Sequence, residues 1–149
     1  DLKNLYASAL PMSEISKIFS RIYSQRLIFI ADACYSGASG GRTIGIKGKR
    51  ANISDAFIDR ISSGKGRVII TASGANEISA EYDELKHGVF TYYMIEALKG
   101  KGDLDKDGII TVDELYNYVS INVPRATNQS QHPVKKGAVN GQLIMGIVE

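Results

Sequence analysis

The sequence has one cysteine, two histidines and nearly balanced charge, and no apolar run in it approaches the length of a bilayer helix. Each scarcity excludes something. One cysteine rules out an internal disulfide framework and leaves a single thiol, Cys34, to explain. A net charge of +2, with basic residues scattered apart from one local cluster, is too little for a nucleic-acid surface. A membrane helix needs roughly 18 to 20 consecutive apolar residues, and no such run occurs. No signal peptide opens the chain, which begins at Asp1; any leader would lie upstream. Internal repeats and low-complexity linkers are also missing.

What is present fits one globular domain: 149 residues, 44% hydrophobic and 23% charged. Ser13 is a candidate N-cap for a helix whose apolar positions are Ile15, Ile18, Phe19 and Ile22. The run from Arg26 to Ala33 is short and almost wholly apolar, as expected of a strand buried on both faces of a parallel sheet. A Gly- and Ser-rich loop, 36–50, precedes a second amphipathic helix at about 54–61, and Arg67 to Ser73 reads as another buried strand. Residues 74–86 are polar and loop-like. Two helices then flank an acidic loop, at about 88–123. Phe90, Met94, Ala97 and Leu98 mark the first; Leu115, Tyr118, Val119 and Asn122 mark the second, which Pro124 is expected to stop. A polar loop through His132 and Pro133 leads to a last apolar strand, Gln142 to Val148. The alternation predicts a three-layer α/β/α sandwich with a mainly parallel sheet. Three strands are few for such a sheet, so its first strands are expected in sequence preceding this chain.

Cys34 falls where the first strand ends and a glycine-containing loop begins, in I-F-I-A-D-A-C-Y-S-G. In open α/β sheets the carboxyl ends of strands carry ligands and catalytic groups. The plainer alternative is a structural cysteine capping a core strand. The stretch Asp32-Ala33-Cys34-Tyr35-Ser36-Gly37 resembles the D-x-C-x-S-G nucleophile box of metacaspases and bacterial, orthocaspase-type, caspase-like peptidases. Val68 to Ser73 is similar to that family's next core strand, and His87-Gly88-Val89-Phe90-Thr91 to the entry of its next helix. The resemblance runs from about Asn4 to Val148.

The resemblance implies a caspase-like catalytic domain, here its C-terminal part, and a Cys/His dyad in which the Cys34 thiolate attacks a peptide carbonyl. The backbone N–H of Cys34 would join the oxyanion hole. In the family the histidine precedes the cysteine, whereas His87 and His132 both follow it. The base is therefore expected in an N-terminal fragment of the same protein, and the two histidines here read as loop residues.

Asp32 lies two residues before Cys34, on the same side of an extended strand. Where caspases hold an acidic substrate residue with glutamine, an aspartate would instead pair with Arg or Lys. The loop 75–81 looks like the stretch that lines the same pocket in caspases. Ser79 matches their serine, and Glu81 stands in place of their arginine. The implied substrates are proteins or peptides with a basic residue before the scissile bond. The alternative is that Glu77 and Glu81 are solvated loop charges. Arg42, Lys47, Lys49 and Arg50 in the following connector would suit self-processing, or form an ordinary basic surface loop.

Asp103 to Glu114 fits the twelve-residue EF-hand loop. Asp103, Asp105 and Asp107 hold the first three ligand positions, and Gly108 allows the sharp turn. Ile109 offers a backbone carbonyl, Thr111 takes the ninth position, and Glu114 can bind through both oxygens. Crowded carboxylates repel unless a hard cation sits among them, so Ca²⁺ is the expected cofactor; the alternative is a polar turn facing water. A brace between two helices is favoured over a switch. The expected activity is thus a cysteine endopeptidase, most simply cytoplasmic, a monomer, with no nucleic-acid or membrane partner. A caspase-like pseudoenzyme, a calcium-binding interaction module and another thiol hydrolase remain open.

Overall fold

The computed structural model describes residues 10–32, 55–74, 77 and 88–148. They form a small mixed α/β domain whose elements run α1 (Met12–Arg21), β1 (Leu27–Ala31), α2 (Asp55–Ser62), β2 (Arg67–Thr71), α3 (Val89–Glu96), a π-helical turn (Ala97–Lys101), β3 (Ile109–Thr111), α4 (Val112–Ala126), β4 (Val134–Ala138) and β5 (Ile144–Ile147). No described helix is long and apolar enough to cross a membrane.

The main sheet has the order β1-β2-β4. Strand β1 runs parallel to β2, with Leu27 opposite Arg67 and Ala31 opposite Thr71, so the carboxyl ends of both strands lie side by side. Side chains alternate across a strand, and both faces of β2 are covered. Val68, Ile70 and Ala72 join Val89, Phe90, Leu115, Val119 and Val123 of α3 and α4 in one core. Ile69 joins Phe19, Phe57, Ile58 and Ile61 of α1 and α2 in the other. β1 divides the same way: Ile28 and Ile30 pack on the first core, Leu27, Phe29 and Ala31 on the second. Burying each of these large aliphatic side chains contributes about 1.5–3 kcal/mol, which is why unbroken apolar runs form these two strands.

The structure departs from the sequence expectations at four places. Strand β4 was hidden in what reads as a polar loop, and it pairs antiparallel with β2, Thr71 opposite Val134. The described sheet is therefore mixed, with one parallel and one antiparallel pairing, and not mainly parallel. The lysines of β4 alternate across the sheet. Lys135 reaches Asp113 of α4 and lies over the Tyr116 ring, while Lys136 reaches Asp59 of α2 at 2.9 Å. Charged side chains suit a strand at a sheet edge. Second, the last strand, β5, does not extend the main sheet; it pairs antiparallel with β3, inside the acidic loop.

Third, α1 begins at Met12 behind Pro11, so Ser13 lies within the helix and is not its cap. Fourth, Pro124 does not stop α4, which continues to Ala126. Proline sacrifices one backbone donor, but Pro124 is buried and its carbonyl accepts from the Gln129 amide at 2.8 Å.

Candidate functional site

Asp32 follows the last residue of β1 directly, at the carboxyl end of the parallel pair. Its side chain is exposed but not loose: the Thr91 hydroxyl donates to Asp32 Oδ2 at 2.5 Å. Thr91 stands in the first turn of α3, where Val89 and Phe90 are fully buried and fix the helix start. The N-cap of α3 is Gly88, and a Cβ added there would lie 2.7 Å from Asp32 Oδ2, so a larger residue would push the carboxylate aside. A carboxylate beside a helix N-terminus is also favoured by the helix dipole. Sequence reasoning missed Thr91 as a partner of Asp32; the two are separated by 59 positions. Cys34, Ser79, Glu81 and His87 lie outside the described residues, as does the basic connector 42–50.

Past the end of β2, Glu77 is not a solvated loop charge. Its Oε2 accepts the amides of Gly74 at 3.0 Å and His132 at 2.7 Å, and its Oε1 meets His132 Nδ1 at 2.6 Å. Partial burial pushes the carboxyl upward. The amides of Gly74 and His132, then the His132 ring, outweigh it and hold Glu77 below its usual value. Beside this pair, Gln131 is fully buried and donates from Nε2 to the Ala72 carbonyl at 2.8 Å. His132 is thereby committed to tying the segment before β4 to the end of β2.

The acidic loop lies between the π-helical turn and α4 and turns sharply. The backbone is left-handed at Lys106, φ 62°, and at Gly108, φ 82°. Asp103 accepts the amides of Asp107 and Gly108, both at 3.1 Å. Ligand oxygens of Asp103, Asp105 and Glu114 lie within 4.8 Å of one another. Oxygens bound to one Ca²⁺ at about 2.3–2.6 Å can be at most about 5 Å apart, so these three fit a single such ion. Asp107 stands outside that cluster, its Oδ1 accepting the Ile109 amide at 2.8 Å.

Glu114 also caps α4. It forms a capping box with Thr111, the N-cap of α4, accepting the Thr111 amide at 2.9 Å and hydroxyl at 2.8 Å. Its other oxygen accepts the Leu104 amide at 3.1 Å. The Thr111 amide and then its hydroxyl are the main causes that hold Glu114 below the usual carboxylate value. Ile109 and Thr111 bound the short strand β3, whose ladder to β5 puts Ile110 opposite Gly146. The Val148 amide extends the pairing to Gly108 O at 2.9 Å.

No family model, curated protein or solved structure matches the chain.

Proposed function

We propose that the protein is a cysteine endopeptidase of the caspase-like clan, built on a caspase-like α/β/α sandwich, with Cys34 as nucleophile. The observation that carries this reading is the D-A-C-Y-S-G box beginning at Asp32, directly past the end of β1 and beside the end of β2. Such a position opens onto the cleft where α/β sheets do their chemistry. The Cys34 thiolate attacks the substrate carbonyl, a histidine protonates the departing amine, and water then hydrolyses the thioester. That histidine belongs to an upstream part of the same protein. Among the described residues β1 pairs with β2 alone, so its other edge is available to upstream strands.

Substrates carry Arg or Lys before the scissile bond. Asp32 meets the basic group, with Ser79 and Glu81 as further pocket residues. Ca²⁺ is held by Asp103, Asp105 and Glu114, with Asp107, Ile109 and Thr111 completing the loop, and braces α3 against α4. A single thiol and no disulfide suit a reducing compartment such as the cytoplasm.

One observation favours a second reading, a calcium-binding interaction module without proteolysis: among the described residues, Asp103, Asp105 and Glu114 of a single loop gather into one acidic cluster. Cleavage of paired fluorogenic peptides ending in Arg or Asp separates the two. The full-length protein is assayed with and without calcium, beside a Cys34→Ala control. Cleavage after Arg that disappears in the variant supports the peptidase; cleavage of neither peptide supports the module.

A further inference from the structure

Resting on the reading of Asp32 as the specificity carboxylate, we infer that Thr91 is a positioning residue for substrate selection, holding Asp32 in the orientation that receives a guanidinium or ammonium group. An aspartate just past a strand end ordinarily samples several rotamers, and freezing it on binding weakens the pairing. Here one oxygen, Oδ2, is held by the Thr91 hydroxyl at 2.5 Å, while Oδ1 has no hydrogen-bond partner among the described residues. The anchor is itself rigid. Thr91 is β-branched and so stiff at χ1, and it rides on a helix turn whose neighbours Val89 and Phe90 are fully buried. Gly88 leaves room for the carboxylate on the same side.

The choice of donor is informative. A lysine or arginine in place of Thr91 would neutralise Asp32 and compete with a basic substrate, whereas a hydroxyl orients the carboxylate and leaves its negative charge intact. A helix-capping role alone would make the same contact, so the test must move substrate selection apart from stability.

The full-length protein is assayed on two fluorogenic peptides, one ending in Arg and one in citrulline, its neutral isostere. Losing an orienting hydrogen bond to a charged group corresponds to about a tenfold effect. Thr91→Val is expected to raise KM for the Arg peptide about tenfold, change kcat less than about twofold, and leave the citrulline peptide unaffected. Thr91→Ser is expected to restore the Arg preference. Equal losses on both peptides with a fall in melting temperature, or no change on either, would overturn the role of Thr91 while leaving the peptidase reading intact. If the wild type cleaves neither peptide, agmatine is titrated into wild type and Thr91→Val. Binding that the variant weakens sustains the inference. No binding to the wild type overturns it together with the pocket reading of Asp32.

Discussion

The Glu77 carboxylate holds His132 twice, through the backbone amide at 2.7 Å and the ring Nδ1 at 2.6 Å, and so ties the end of β2 to the segment entering β4. Because the folded protein keeps Glu77 below its unfolded value of 4.5, the tether's contribution is fully present above that pH. It is lost as pH falls through the lower folded value. Glu77→Gln is expected to lower stability at pH 7 by about 1–2 kcal/mol, through lost hydrogen bonds to a charged group. Thermal melts of the two proteins should converge below pH 4.5; a gap that stays constant down to pH 3 would show that the carboxylate's charge is irrelevant.

Much of the fold was legible because apolar periodicity is a strong signal wherever an element is buried. β1, β2 and α2 all fall where their apolar patterns put them, and the acidic loop is written in the chain as contiguous positions. β4 escaped because its central residues are Lys135, Lys136 and Gly137, and their placement depends on Asp113 and Asp59 in distant helices. The Asp32–Thr91 and Glu77–His132 links escaped for the same reason: each joins positions more than fifty residues apart. Pro124 misled because a proline near a helix end usually marks the stop, whereas here burial keeps it inside the last turn.

The two-faced core makes a sharp contrast testable. Ile69 is 1% exposed among Phe19, Phe57, Ile58 and Ile61, so Ile69→Ala should cost about 2–5 kcal/mol in denaturant unfolding. Asp59, on the same face, makes only an exposed ion pair with Lys136, and Asp59→Ala should cost less than about 1 kcal/mol. Comparable losses at both positions would mean that the face over α1 and α2 is held by charge and not by burial.

If the acidic loop takes calcium, binding must appear as stability by mass action. At a hundred times its dissociation constant, calcium should stabilise the protein by about 2.7 kcal/mol. Asp103→Asn should remove most of that gain, since Asp103 both supplies a clustered oxygen and orders the amides of Asp107 and Gly108. Melts in calcium, magnesium and chelator check it. Identical curves in all three would leave the loop as a polar turn.

Strand β3, inside the acidic loop, is paired antiparallel by β5. The Val112 amide donates to Leu143 O at 2.8 Å and the Val148 amide to Gly108 O at 2.9 Å, so the ladder clamps the loop at both ends of its glycine-to-helix stretch. If the loop takes calcium, holding its backbone in place beforehand reduces the conformational freedom lost when the ion arrives. Val148→Pro deletes one clamp donor and leaves every carboxylate in place. Calcium affinity, measured by calorimetry, should fall about three- to tenfold, the cost of roughly one neutral hydrogen bond. An unchanged affinity alongside a lowered melting temperature would mean that β5 supports the fold but not the loop.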